Sequence, residues 1–362
     1  MKAIIWLALF ATVFASCNKN VAQTTEQRLE EILVKQVDNK TVFGAVVSIE
    51  SPDFSWTSAK GNFETSSQYF IASTSKLYTS AVIFQLLDEG KLSLDDRISD
   101  YLDASIMDEL HLLDGKDYSN EITINHLLSN TSGLPDYFEG KGGDGTKLVD
   151  ELMGGNDDSW TFEECIAISK TMEPEFAPGA EGKALYSDTN FQLLGIIIEI
   201  ITGISISEAY QTRIFEPLGL SQTFLYLDEN DTRPKKMYYK KEELDIPKAM
   251  TSFKADGGIV SNASESMIFI RAFYNGGLFN EKHIEDGAVF NKIFYPNEYG
   301  VGYMRYKLPD FYNVPYFIGH SGLSGAFAWY CPEKDAYITG TVNQLNKPGT
   351  SYRMIIKMIN EL

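Results

Sequence analysis

Two side chains three residues apart, Ser73 and Lys76 in Ile71-Ala72-Ser73-Thr74-Ser75-Lys76, offer the clearest chemistry in this sequence. An apolar-rich run from Leu77 to Leu87 follows and Gly90 closes it, so the pattern predicts a helix entered near Ser73. On such a helix the hydroxyl and the ε-amine share one face. A serine hydroxyl is a weak nucleophile at neutral pH and needs a neighbour to take its proton. A lysine kept neutral by burial or by a nearby cation can do so. The first turn also supplies unpaired N–H groups and the positive end of the helix dipole, which favour an oxyanion. Alone the pattern is weak, because a chain of this length holds about one Ser-x-x-Lys by chance. Ser16-Cys17-Asn18-Lys19 is another example. The bland alternative is an N-cap serine beside a solvated lysine.

Other elements must hold this helix in place. Gln27 to Val37 carries Leu29, Ile32, Leu33 and Val37 at helical spacing, and Val42 to Glu50 and Phe54 to Phe63 read as strands joined by Ser51-Pro52-Asp53. Between Lys91 and Asp245 short helices and long loops take over. Tyr186 to Ile201 runs into a helix apolar on nearly all sides, stopped by Gly203 and therefore deeply buried. Strands return after Ser252. Gly257-Gly258-Ile259-Val260 precedes a helix over Glu265 to Tyr274, Val314 to Ile318 and Ala326 to Cys331 bracket a tight segment, and Pro332-Glu333-Lys334-Asp335 turns the chain into Ala336 to Val342. A last helical pattern spans Ser351 to Leu362. The expected fold is α/β (α+β): residues 27–90 and 246–362 form one antiparallel sheet flanked by N- and C-terminal helices, with a mostly helical subdomain, 91–245, inserted.

With 362 residues, 44% hydrophobic and 22% charged, the chain suits a large globular enzyme domain. A formal charge of −19 argues against nucleic acid as a partner and against anionic membrane surfaces. Residues 1–16 combine Lys2, an apolar run from Ala3 to Val13 and small residues at Ala15 and Ser16, the pattern of a secretory signal too short to span a membrane permanently. Phe14-Ala15-Ser16-Cys17 resembles a bacterial lipobox, with Phe where Leu is usual. That implies lipidation of Cys17, a tether over 17–26 and a lipid-anchored place in the bacterial cell envelope, periplasmic or surface-exposed; the plain alternative is an unlipidated secreted protein. Cys165 and Cys331 then remain, in unlike contexts that do not favour a disulfide. His111, His126, His283 and His320 show no ligand spacing, so neither a metal nor another cofactor is expected. A monomer is expected.

Two further stretches, Tyr186-Ser187-Asp188 at the start of the buried helix and His320-Ser321-Gly322 at a strand end, complete a set of three. Here the chain resembles the serine β-lactamase and penicillin-recognising superfamily, in its branch of class C β-lactamases, D-alanyl-D-alanine carboxypeptidases and related esterases. The marks of that family are Ser-x-x-Lys, Tyr-x-Asn and Lys-or-His-Thr/Ser-Gly in this order. His126 to Pro135, Phe176-Ala177-Pro178-Gly179, Thr202-Gly203 and Gly257 to Ser261 also look like its scaffold, so the resemblance runs from about Leu29 to the C-terminus. It implies acyl transfer through an ester on Ser73, assisted by Lys76 and Tyr186. It further implies an oxyanion held by the N–H groups of Ser73 and Leu323, and substrate contacts from Asp188, His320, Ser321 and Gly322. A small-molecule or peptide substrate follows, with a D-amino-acid or peptidoglycan-type peptide foremost, an esterase or β-lactamase next, and a protein that is acylated without turnover as the third reading.

Two departures bear on mechanism. Asp188 stands where the family has Asn, and an anion beside Lys76 favours its charged form and opposes its use as a base. Tyr186, as a phenolate stabilised by Lys76, then becomes the better proton carrier. The bland reading of Asp188 is a helix N-cap. His320 replaces the lysine of the third motif, as in the carboxypeptidase-like members, and a neutral histidine grips a substrate carboxylate less firmly. Its bland reading is a satisfied strand-end histidine.

Overall fold

The computed structural model describes residues 23–347 and 349–362, so the expected signal over 1–16 and the lipidation site Cys17 lie outside the described residues. Helix α1 (Thr25–Gln36) starts from a capping box in which Thr24 and Gln27 exchange side-chain and backbone hydrogen bonds. The last two residues of the expected tether are therefore helical. Its Leu29 and Leu33 are buried.

Strands β1 (Gly44–Ser51) and β2 (Phe54–Gly61) form the expected hairpin, with Val47 opposite Ser58. A short second sheet contains β3 (Tyr69–Phe70), β4 (Phe224–Leu225) and β5 (Ile259–Ser261), with β5 in the middle. The main sheet is completed by β6 (Asn291–Phe294), β7 (Asn297–Tyr299), β8 (Met304–Tyr306), β9 (Phe317–Ser321), β10 (Ala326–Cys331) and β11 (Ala336–Thr341). Its order is β6-β7-β8-β9-β10-β11-β1-β2, antiparallel throughout. Thus β1 and β11, far apart in sequence, lie side by side, with Val46 opposite Thr341. His320 and Ser321 of the third motif end β9, with Gly322 just beyond it, and the strand starts and ends three residues later than the sequence pattern suggests.

Five helices matter for the site. Besides α1 these are α2 (Lys76–Asp88), α3 (Asp188–Thr202), α4 (Ala263–Tyr274) and α5 (Gly349–Ile359). Along β11 the Tyr337 hydroxyl donates to Asn275 and the Thr339 hydroxyl to the Ala263 carbonyl, so these side chains face α4. Alternation then turns Ile338 to the opposite face, where α1 and α5 pack together and Arg28 pairs with Glu361. Helices α2 and α3 are buried over most of their length and pack on each other. A Cβ at Gly195 of α3 would lie 2.6 Å from the Ala255 Cβ, so glycine there permits the close approach of Ala255.

Residues 91–245 hold short helices and loops besides the long α3. Strand β4 leaves the inserted region to pair with β5. Just upstream of β5, a Cβ at Gly258 would stand 1.5 Å from the Phe253 carbonyl oxygen, inside the van der Waals radius of backbone that cannot swing aside. Replacing Gly258 by Ala is therefore expected to destabilise the protein by about 3 kcal/mol or more, read as a lower denaturant midpoint with an unchanged m-value.

Candidate active site

Ser73 lies in a 3-10 turn, Ala72–Ser75, that runs directly into α2. Ala72 has φ +45°, a left-handed conformation that L-residues avoid. The turn is pinned from two sides. On one, Ile71 N–H donates to the Ile259 carbonyl and Ile259 N–H to Ser75 Oγ, both over β5. On the other, Ser324 Oγ donates to the Phe70 carbonyl at 2.8 Å. The loop between β9 and β10 closes over the turn so tightly that a Cβ at Gly322 would lie 2.4 Å from the Ile71 carbonyl oxygen. Leu323 and Ser73 consequently wall the same cavity.

Lys76, the first residue of α2, is fully buried. Its ammonium contacts Asp188 Oδ1 at 2.5 Å, the Asp256 carbonyl at 2.6 Å and Ser73 Oγ at 3.3 Å. An ammonium has three protons, and these are three acceptors. Burial alone would push Lys76 down, but the charges of Asp188 and then Asp256 outweigh it and hold the lysine above its ordinary value. The opposition of Asp188 to a basic Lys76, anticipated from the substitution, is thus present in the geometry. Asp188 is not the N-cap of α3. Ser187 holds that position, and Asp188 is the first helical residue with its carboxylate turned to Lys76.

Tyr186 reaches Ser73 from the other side, its ring 5.2 Å from the Lys76 Nζ. Burial, and next the Asp188 charge, push its hydroxyl well above the ordinary tyrosine value. The phenolate expected from the sequence is therefore disfavoured at rest, by burial first and by the nearby Asp188 charge next. The segment around Tyr186 is held by the conspicuous run Ser129 to Pro135. Asn130 Oδ1 accepts from Ser187 N–H and from Asn190 Nδ2, and the Pro135 carbonyl accepts from the hydroxyls of Ser187 and Thr189. That run positions the second motif.

The third motif behaves differently from expectation. The His320 Nδ1 lies 2.7 Å from the Ser321 carbonyl and must be its protonated nitrogen, which leaves a bare, buried Nε2 without a partner. Burial, and next the Lys76 charge, push His320 down to about 3. It is neutral and offers the site a lone pair rather than a proton. The Ser321 hydroxyl is engaged with Tyr352 of α5 at 2.6 Å, and Tyr352 in turn donates to Asn297. Asp188 lines the cavity beside Ser73 together with Leu323 and Ser324 of the loop after β9.

Four residues absent from the sequence reading join the site. Asp256 lends its carbonyl to Lys76 and its carboxylate to the Tyr137 hydroxyl at 2.7 Å. Burial first, then Asp188, raise its carboxyl to about 7. Glu139 stays open to solvent at the cavity mouth, yet protein around its carboxyl and the Asp188 charge push it up. The buried Tyr299 ring lies 5.9 Å from Tyr186 and 5.8 Å from His320. Asp256 adjoins the Gly257-Gly258 run, the one signal that pointed near it; the others carry none.

The profile of the Beta-lactamase family matches residues 32–357. The chain belongs to the beta-lactamase family. Among its relatives, Penicillin-binding protein 4 of Amycolatopsis lactamdurans is 28% identical over 165 residues, 46% of this chain and 38% of that protein, so the match spans well under half of the relative's length. A D-stereospecific amidohydrolase from Streptomyces has a similar structure, with a TM-score of 0.75 and 26% identity over 88% of this chain and 94% of that one. The D-amino acid amidase of Ochrobactrum anthropi, at TM-score 0.77 and 20% identity over 93% and 98% of the two chains, shares the fold.

Within this beta-lactamase-family site, Asp188→Asn removes the anion that keeps Lys76 charged. The lysine pKa falls, and the acid limb of kcat/KM for acylation is expected to move to lower pH. A pH–rate profile of the variant checks this; an unmoved limb assigns Asp188 to substrate contact or to packing instead.

Proposed function

We propose that this chain is a serine acyl-transfer hydrolase for amides or esters of D-amino acids whose leaving group carries no carboxylate. The observation that supports this most is the state of His320: its one proton is committed to the Ser321 carbonyl, so it has nothing to offer a substrate carboxylate. None of the residues lining the cavity is cationic. The likeness to a D-stereospecific amidohydrolase agrees in stereochemistry and bond type. A carboxypeptidase acting on a D-Ala-D-Ala stem, the reading favoured by the form of the third motif, needs a carboxylate donor that this set does not provide.

In the proposed cycle, Ser73 Oγ attacks the carbonyl carbon while its proton passes to Lys76, which must first shift a proton across 2.5 Å to Asp188. The backbone N–H groups of Ser73 and Leu323 receive the developing oxyanion. Tyr186 gives its proton to the leaving nitrogen or oxygen and recovers one from Lys76, so the net transfer is from Ser73 to the leaving group. Water then attacks the ester by the same groups in reverse.

With purified protein, D-phenylalanine p-nitroanilide should be hydrolysed with kcat/KM at least about tenfold above release of D-alanine from an N-acyl-D-Ala-D-Ala peptide, a difference of about 1.4 kcal/mol in transition-state stabilisation. Ser73→Ala should abolish both turnover and fluorophosphonate labelling. Preferred cleavage of the peptide, or labelling that persists at Ser75, contradicts the proposal.

We also propose a lipid anchor at Cys17, supported by the Phe14-Ala15-Ser16-Cys17 pattern, which would place the hydrolase at the bacterial cell envelope. Full-length protein made in a Gram-negative host should partition with membranes, and Cys17→Ser should release it or leave it unprocessed. Soluble wild-type protein without a lipid mass shift counts against the anchor.

A further inference from the structure

Tyr352 of the C-terminal helix α5 reaches four neighbouring strands with one side chain. Its ring stacks on Tyr306 of β8 at a centroid distance of 4.6 Å and lies 5.9 Å from Trp329 of β10. Its hydroxyl meets Ser321 Oγ, at the end of β9, at 2.6 Å and donates to Asn297 Oδ1, at the start of β7, at 3.2 Å. A phenol carries one proton and Asn297 takes it, so in the shorter contact Ser321 is the donor. Burial pushes the Tyr352 hydroxyl above the ordinary tyrosine range, which keeps that proton in place and gives the chain one direction, Ser321 to Tyr352 to Asn297. Covering the sheet does not call for this hydroxyl. Met354, Ile355, Met358 and Ile359 already give α5 its buried apolar face, and a buried hydroxyl adds cost unless it is paired.

The chain of hydrogen bonds ends where the oxyanion donors begin. Ser321 is the last residue of β9, and Leu323, two residues on, walls the cavity together with Ser73. Between them Gly322 N–H donates to the Ala326 carbonyl at 2.8 Å. Ser324 ties the loop to the nucleophile's turn through the Phe70 carbonyl, and Ser321 ties its other end to α5. A loop fastened at both ends holds its N–H groups in one place. That matters for an oxyanion donor, which must lie about 2.7–3.1 Å from the oxygen that becomes charged.

We propose that Tyr352 is a positioning residue for acylation of Ser73: through the Ser321 hydroxyl it fixes the end of β9, and with it the Leu323 N–H that receives the oxyanion. This rests on the proposed acyl transfer at Ser73 and adds the C-terminal helix to the apparatus of that site.

The probe is a fluorophosphonate, which phosphonylates Ser73 with loss of fluoride and directs a phosphoryl oxygen to the oxyanion position, whatever the natural substrate. Labelling rates of the full-length protein are measured against probe concentration. Tyr352→Phe keeps the ring and its stack on Tyr306 but removes the hydroxyl. It is expected to lower the maximal labelling rate about tenfold at an unchanged half-saturating concentration, the signature of an interaction made in the transition state. Ser321→Ala should lose the same factor, and the double variant no more than either single one. Ser321→Thr, which keeps a hydroxyl, should hold the wild-type rate. Thermal transitions are recorded alongside; if Tyr352→Phe is unfolded, Ser321→Ala and Ser321→Thr carry the comparison. An unchanged maximal rate in Tyr352→Phe or Ser321→Ala, losses that multiply in the double variant, or an effect confined to the half-saturating concentration overturns the inference and leaves acylation of Ser73 standing. Failure of the wild-type protein to be labelled at Ser73 overturns the proposed function and this inference together.

Discussion

The buried pair of Lys76 and Asp188 is the contact on which the site depends. Each is the first residue of a buried helix, α2 or α3, so the pair joins two helix N-termini as well as two charges. An anion at a helix N-terminus is favoured by the dipole and a cation is not, so Asp188 is well placed on its own helix and Lys76 is tolerable only because Asp188 faces it. Removing either partner would strand the other charge in the interior, at a cost of about 3–5 kcal/mol. The pair therefore fixes the mutual position of the elements that carry Ser73 and Tyr186, and it sets the proton inventory: lysine charged, tyrosine protonated, histidine neutral.

Around this pair the fold stores some strain. Ala72 in the left-handed region costs about 1–3 kcal/mol and persists only where neighbours over-determine it. They do so here through β5 on one side and the Gly322–Gly325 loop on the other, both belonging to the C-terminal part of the chain. The nucleophile's turn is local in sequence but its conformation is imposed from residues about 185 to 250 positions away.

The motifs and the elements bearing them were legible because each is local: a Ser-x-x-Lys before an apolar helix, a Tyr-x-Asp at the entrance of another, a His-Ser-Gly on a strand. The chain order of sheet and insertion was legible from hydrophobic period and length. What could not be read was which way side chains turn. Ser321 looks like a substrate contact in sequence, but α5 offers it Tyr352 and it takes that partner. His320 looks like a neutral histidine that grips a substrate carboxylate, but the Ser321 carbonyl takes its one proton. Asp256 and Glu139 are ordinary acidic residues in sequence, and become part of the site only when tertiary packing brings residues 136–139 and 256 to the start of α3. The phenolate assigned to Tyr186 is opposed for a related reason: burial, and next the Asp188 charge, favour its protonated form.

The same substitution links mechanism to specificity. With an amide at 188, Lys76 would lose the anion it touches and its field would reach further into the cavity. With a carboxylate there, the lysine's field is cancelled at short range and the remaining carboxylates, Glu139 and Asp256, determine the potential felt by a ligand. A carboxylate rather than an amide at 188 thus bears on two properties together: its charge holds Lys76 above its ordinary pKa, and it adds a negative group to the cavity lining. The neutral tautomer of His320 acts in the same direction, since a charged group there would add a positive one. Both departures from the family's usual residues bear on the charge at the Ser73 cavity: one adds an anion at 188, and the other leaves His320 without a free proton.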